Sequence, residues 1–136
     1  WSDVLAQHQL RTRELVERYR GRVVDFAGDG VLAIFDGAAR ALRCAVALQA
    51  AAGDLDLVIR AAAHTGEVEV AEKSISGVTI HEASRILALA GASETLVSET
   101  TALLAQDPGL VLEDRGLHEL RGLPGSRRIF ALRTEG

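Results

Sequence analysis

The chain has 136 residues and a formal net charge of −4, with 48% hydrophobic and 25% charged residues. Because a core of useful size needs a chain of about this length, we assign residues 1–136 to a single domain. The acidic balance argues against a general nucleic-acid-binding protein. No apolar run approaches the ~18 residues of a membrane span, and no signal peptide is visible, so we expect no direct membrane contact.

The cysteine and methionine contents give two further expectations. The single cysteine, Cys44, has no partner for an internal disulfide and lies in an alanine-rich helical pattern, so we expect a small core residue in a cytoplasmic protein. The chain has no methionine and begins at Trp1. Because a natural translation product begins with Met, we expect this chain to be a fragment whose first segment lies upstream.

The first elements are a helix and a β-hairpin. Apolar residues recur every three or four positions over residues 2–19, which predicts an amphipathic helix. Two short apolar runs, Val23–Ala27 and Val31–Phe35, then flank Gly28-Asp29-Gly30. Asp-Gly between such runs is a strong hairpin signal, so we expect Asp29 at the hairpin tip. A carboxylate on a rigid turn suits a hard cation such as Mg²⁺, although a role as a turn former alone stays open.

The same periodicities predict the remaining elements in chain order. We expect a helix over 38–52, a long strand-like run over 57–70 that HTGE at 64–67 interrupts, a loop over 72–77 and a helix over 78–89. We then expect a short strand over 95–97, a short helix over 98–105, and a final pair of strands over 110–120 and 128–132. This order predicts an α+β domain in which helices pack on one face of a sheet.

Four stretches, taken together, resemble the class III adenylate/guanylate cyclase catalytic domain in its bacterial, actinobacterial form. They are GRVVDFAGDGVLAIFDGAARALRCAVAL, RAAAHTGEV, ISGVTIHEASRILALA and DRGLHELRGLPGSRRIFAL, in this order between about Leu5 and Leu132. The resemblance implies a ferredoxin-like nucleotide cyclase fold with a mostly antiparallel sheet. It also implies a first strand ahead of the first helix, which this chain lacks.

The resemblance implies a two-metal site for Mg²⁺ or Mn²⁺ held by two Asp residues. Asp29 matches the second of them, at the hairpin tip. The first would lie on the missing strand, upstream of Trp1. Two metal ions would bridge the attacking and leaving oxygens of the reaction.

The predicted helix 78–89 carries two candidate catalytic residues, His81 and Arg85, which share one face with Val78. In the family this helix carries Asn and Arg four residues apart, and both steady the transition state. Arg85 matches that Arg, while His81 stands where Asn is usual. Arg85 has the alternative of a surface salt bridge with Glu82, and His81 that of a packed, neutral side chain.

Three further positions match nucleotide-binding residues of the family. Asp25 and Ser74 stand where adenylate cyclases have the Lys and the Asp that read adenine, so that pair is not present as such. Arg121 matches a basic residue that touches the terminal phosphates. The alternatives are a solvent-facing strand residue for Asp25 and a solvated surface residue for Arg121. His64, in HTGE, is expected to be structural.

The resemblance implies a homodimer that converts ATP to 3′,5′-cyclic AMP and pyrophosphate in intracellular signalling, with ATP favoured over GTP as the nucleoside triphosphate. The alternative is a degenerate, non-catalytic cyclase-like module for dimerisation or nucleotide sensing in a larger regulatory protein. A diguanylate cyclase is excluded because a GGDEF-type signature is absent.

Overall fold

The computed structural model describes residues 2–27, 30–71 and 74–134. Its elements, in order, are α1 (Ser2–Arg18), β1 (Arg22–Ala27), β2 (Gly30–Ile34), α2 (Ala38–Asp54), β3 (Ala61–Ala63), β4 (Glu69–Ala71), β5 (Ser74–Ser76), α3 (Val78–Leu87), β6 (Thr95–Ser98), α4 (Glu99–Leu104), β7 (Leu110–Glu119) and β8 (Ser126–Thr134). The predicted α+β class is confirmed. In these ranges, no helix has the length and apolar character that crossing a bilayer requires.

The strands form one four-stranded sheet and two short hairpins. The large sheet has the order β3-β6-β8-β7, while β1 pairs with β2 and β4 pairs with β5. Among the described strands, the β3–β6 pair is parallel and every other pair is antiparallel. The mostly antiparallel pairing is therefore as predicted.

Helices and sheet share a core that lies in three clusters. Leu42 of α2 is fully buried against Val97 of β6 and Ala105 after α4. Leu15 and Val16 of α1 pack against Cys44 of α2. Burial raises the pKa of the Cys44 thiol to about 11, so this cysteine is an inert core residue, as predicted.

The third core cluster fixes the position of α3. Ile86, which is 1% exposed, packs against Leu96 of β6, Leu120 at the end of β7 and Ile129 of β8. Leu120 directly precedes Arg121, so this packing brings α3 against the turn that joins β7 and β8.

The strand-like run over 57–70 is interrupted at HTGE, as predicted, but its first part is shorter than predicted. Strand β3 covers only Ala61–Ala63, because the chain before it pairs irregularly with residues 93 and 94: Ser93 N donates to Ile59 O at 3.0 Å, and Ala61 N donates to Glu94 O at 3.0 Å. The predicted loop over 72–77 is also wrong in part, since Ser74–Ser76 forms β5 against β4.

The HTGE stretch ends the strand early because its residues bind two helices instead of a neighbouring strand. His64 contacts Glu82 of α3, and the Thr65 hydroxyl lies 2.7 Å from that of Thr101 in α4. Glu67 O accepts a hydrogen bond from Thr79 Oγ1 at 2.7 Å. A Cβ at Gly66 would lie 2.5 Å from the same Thr79 oxygen, so this approach requires glycine.

Candidate active site

Helix α3 carries the central candidates of the site. It begins after Gly77, whose φ of 127° is open to glycine and strained for other residues, and it buries Thr79 and Ile86 on its inner side. His81 is exposed, and Arg85, in the last turn, is half-buried. The helical spacing predicted from sequence is therefore confirmed, and both side chains project from a helix held by its buried side.

Arg85 has no hydrogen-bond or ion-pair partner among the described residues, and its Nε atom is buried. The alternative of a salt bridge with Glu82 is wrong, because Glu82 pairs with His64 and Arg127 and no ion pair joins it to Arg85. A buried donor without a partner is costly. A guanidinium left in this state is available to an anionic ligand that supplies the missing acceptors.

His81 faces the turn between β7 and β8. A Cβ at Gly122 would lie 3.7 Å from His81 Nε2, and Gly122 has a φ of 82°. The imidazole is exposed, so the packed alternative does not describe it.

Arg121 lies in the same turn, next to Gly122, and is exposed. It has no ion pair in the part of the chain that the structure describes. His81 and Arg121 thus lie on neighbouring elements, where a cation and a hydrogen-bonding ring can face one ligand.

For two of the remaining predicted residues the structure gives only the strand to which each belongs, and the third lies outside the described residues. Asp25 belongs to β1 and Ser74 to β5, and these two strands approach each other, so the two base-reading positions lie on adjacent elements. Asp29, the predicted metal ligand, lies outside the described residues. Within the described ranges, no three His, Cys, Asp or Glu side chains cluster as a metal site would require.

A set of contacts that the sequence did not reveal joins α3 to the end of β3 and to β8. Glu82 Oε2 lies 3.1 Å from His64 Nε2, and Glu82 Oε1 lies 3.6 Å from Arg127 Nη2. These residues line a cleft of about 260 Å³ together with Ser98, Glu99, Thr100, Leu117, Ser126 and Arg128. The sequence signals were the presence of HTGE and of a carboxylate next to His81. The pairing of these residues could not be predicted, because they lie in distant parts of the chain.

The His64 side chain is 11% exposed, and its environment determines its protonation. Burial lowers the pKa of His64 below its ordinary value, and Arg127 lowers it further, while Glu82 opposes both. At neutral pH the ring is therefore neutral and donates from Nε2 to Glu82. Nδ1 is buried and has no partner among the described residues, so protonation there would leave an unsatisfied N–H.

The lowered pKa of His64 predicts a pH-dependent stability. Between pH 6.5 and the lower pKa of the folded chain, the unfolded chain binds a proton that the folded chain does not, so the free energy of unfolding decreases as pH falls. Replacing His64 by Gln should flatten this decrease. Urea unfolding at several pH values from 7.5 down to 5 would measure it, with His8→Gln on α1 as the control. An unchanged slope in His64→Gln would contradict this assignment.

Comparison with known proteins gives relatives over most of this chain. The chain is 32% identical over 127 residues to "Putative adenylate cyclase 3" of Rhizobium meliloti (strain 1021), a match that covers 88% of this chain and 18% of that relative. The chain thus spans about a fifth of the length of this curated relative. No protein-family model matches the sequence.

Solved structures share the fold. The adenylyl cyclase CyaB from P. aeruginosa superposes with a TM-score of 0.86 at 21% identity, covering 99% of this chain and 83% of that one. An adenylate/guanylate cyclase/hydrolase from Silicibacter pomeroyi gives 0.79 at 26% identity, covering 99% and 88%. The resemblance predicted from sequence is confirmed: this chain is a domain of the class III adenylate/guanylate cyclase type.

Proposed function

We propose that this domain converts ATP to 3′,5′-cyclic AMP and pyrophosphate as the catalytic domain of a nucleotidyl cyclase. The observation that carries the proposal is the state of Arg85. Its half-buried guanidinium has a buried Nε and no partner among the described residues, at the position where the family has a transition-state arginine. A fold that keeps a half-buried arginine without a partner among the described residues suits a polyphosphate ligand.

Each candidate residue has a defined role in the proposed reaction. The 3′-hydroxyl of the ribose gives its proton to water and its oxygen attacks the α-phosphorus, while the bond from the α-phosphorus to the oxygen of the leaving pyrophosphate breaks. Negative charge builds up on the phosphate oxygens, where Arg85 donates hydrogen bonds in a fork and His81 donates one to ribose or phosphate. Arg121 binds the terminal phosphates from the neighbouring turn.

Divalent Mg²⁺ or Mn²⁺ belongs to the same proposal. Asp29 would hold the cation, which would supply Lewis-acid activation of the attacking oxygen and charge neutralisation at the phosphates. The carboxylate of Asp29 provides oxygen ligands of the kind that these hard cations prefer.

We further propose that two copies of the domain share the site, in a cytoplasmic signalling protein. In cyclases of this family the site forms between two subunits, and a symmetric homodimer would combine Asp29 of one copy with Arg85 of the other in two equivalent sites. A carboxylate at position 25 can only accept hydrogen bonds, whereas the family has a lysine donor there, and both adenine and guanine offer donors. We therefore expect loose base choice, with ATP preferred.

A second candidate function is a non-catalytic cyclase-like module for dimerisation or nucleotide sensing. The changes at Asp25, Ser74 and His81 relative to the family favour it. It predicts a dimer, with or without nucleotide binding, and no turnover.

A turnover assay separates the two functions. The parent protein, with any segment that precedes Trp1, is given ATP or GTP with Mn²⁺ and then with Mg²⁺, and cyclic nucleotide and pyrophosphate are quantified together. Equal amounts of both products support the cyclase. No product under any condition, with a dimer present by light scattering, supports the regulatory module.

Replacing Asp29 by Ala is expected to abolish metal-dependent turnover, because the substitution removes oxygen ligands from the metal site. The measurement is kcat over a titration of Mn²⁺, with Asp3→Ala on α1 as the matched control. Turnover with an unchanged Mn²⁺ dependence in Asp29→Ala would contradict the metal role.

A further inference from the structure

We propose that Glu82 is a positioning residue, which fixes α3 relative to the β7–β8 turn so that the candidate site residues on both are correctly placed. This inference rests on the proposed function, since it concerns the placement of His81, Arg85 and Arg121 for cyclisation. It concerns a residue that does not itself contact the substrate in the proposed reaction.

Glu82 lies between the two candidate catalytic residues of α3. It directly follows His81 and precedes Arg85 by three positions, so it is one helical turn from the guanidinium. Its side chain is 19% exposed, although a carboxylate is usually solvated. Such burial is expected only where partners compensate it.

Two partners on two other elements contact the carboxylate. His64, just after β3, contacts Oε2 at 3.1 Å, and Arg127 of β8 contacts Oε1 at 3.6 Å. Successive residues of a helix lie about 100° apart around its axis, so even a partial rotation of α3 would carry the Glu82 carboxylate away from both partners. The contacts on the two oxygens therefore restrain rotation of α3. Thr79 on the same helix is anchored separately to Glu67 O at 2.7 Å.

Arg127 extends this connection to the turn that carries Arg121. Its Nη1 donates to the carbonyl of Pro124, three residues beyond Arg121. The path from His64 through Glu82 and Arg127 to Pro124 therefore joins the end of β3, the middle of α3 and the β7–β8 turn. Both halves of the candidate site lie on elements that this path connects.

Arg85 depends on this connection because it has no hydrogen-bond or ion-pair partner among the described residues. In the described part of the chain no acceptor orients its guanidinium, and its Nε is buried without a partner. Its position is therefore set by the helix from which it projects. A carboxylate that fixes the helix also fixes the guanidinium.

The first test measures kcat and KM of the parent protein carrying Glu82→Gln, which keeps the side-chain shape and removes the charge. We expect kcat to fall about 10- to 100-fold, as for other small displacements of catalytic groups, with little change in the KM for ATP. Glu99→Gln is the matched control, since Glu99 lines the same cleft, is 53% exposed and contacts Arg128 only at 3.9 Å. Glu82→Asp should recover part of the lost kcat.

The second test does not depend on turnover. The Nε–Hε resonance of Arg85 in a nitrogen-15 NMR spectrum reports the setting of its guanidinium directly. We expect this resonance to shift or broaden in Glu82→Gln and to stay unchanged in Glu99→Gln, with both variants folded by circular dichroism. Since this measurement needs no product, it tests the positioning role even if the protein forms no cyclic nucleotide. Absence of product would contradict the proposed function and would leave the positioning role to be decided by the Arg85 resonance.

Two results would overturn the positioning role. One is an Arg85 resonance that is the same in wild type and Glu82→Gln. The other is a shifted resonance in an active protein whose kcat is unchanged. If Glu82→Gln lowers the unfolding temperature below the assay temperature, Arg127→Gln is the second variant. It removes the link to the turn and should give the same kcat loss and the same shift.

Discussion

Replacing Arg85 by Ala is expected to lower kcat about 100-fold, the typical effect of removing one preorganised donor to a developing charge. The guanidinium is half-buried and unpaired within the described residues, so its loss breaks no internal ion pair there. Steady-state kinetics with ATP and Mn²⁺ measures the effect. The KM should change less than kcat, because the interaction strengthens as the reaction proceeds.

Two companion variants sharpen this expectation. Arg85→Lys keeps the charge and loses the planar fork, so we expect it to recover only part of kcat. Arg18→Ala, at an exposed position in the last turn of α1, should keep wild-type kinetics. A kcat within threefold of wild type in Arg85→Ala would remove Arg85 from the proposed reaction.

Replacing Leu42 by Ala is expected to give the largest loss of stability, about 2–5 kcal/mol in the free energy of unfolding. Leu42 has 0% exposure and lies where α2, β6 and α4 meet, so truncation leaves a cavity that the surrounding backbone cannot fill. Urea denaturation measures the midpoint and slope of the unfolding transition.

Leu103→Ala is the matched control for this prediction. It makes the same chemical change in a helix, at a side chain that is 68% exposed. The expected change in the free energy of unfolding is within about 0.5 kcal/mol. Equal losses in the two variants would mean that the junction of α2, β6 and α4 is not where the core is most tightly packed.

The sequence predicted most elements of the fold because their signals are local. The 3–4-residue periodicity of α1, α2 and α3 depends only on neighbouring residues, and the structure confirms each helix. The Ser98 cap is another local feature: its Oγ accepts a hydrogen bond from Thr101 N at 3.3 Å at the start of α4.

The sequence failed where tertiary contacts compete with local propensity. The apolar run at 57–63 favours a strand, but its first residues pair irregularly with the segment at 93–94. His64 and Thr65 then bind α3 and α4. The sequence indicated that HTGE interrupts the run, but no local pattern contains these partners, so the contacts that end β3 could not be predicted.

In the candidate site, too, local features were predicted from the sequence and long-range contacts were not. His81 and Arg85 were found by helical spacing and resemblance, and the structure puts them on one helix. The bond from Glu82 to His64 and Arg127 was missed, because it joins residues 18 and 45 positions away from Glu82. A single sequence carries no record of such pairs.

The most direct test of a cyclase site shared by two copies is a mixing experiment with two variants that each have little or no activity. Asp29→Ala and Arg85→Ala are assayed separately and after mixing under conditions that exchange subunits. In a random mixture half of the dimers are mixed, and each mixed dimer has one site with neither substitution. Activity should therefore return to about a quarter of wild type. A mixture as inactive as its components, with mixed dimers present and an active wild type, would contradict the shared site.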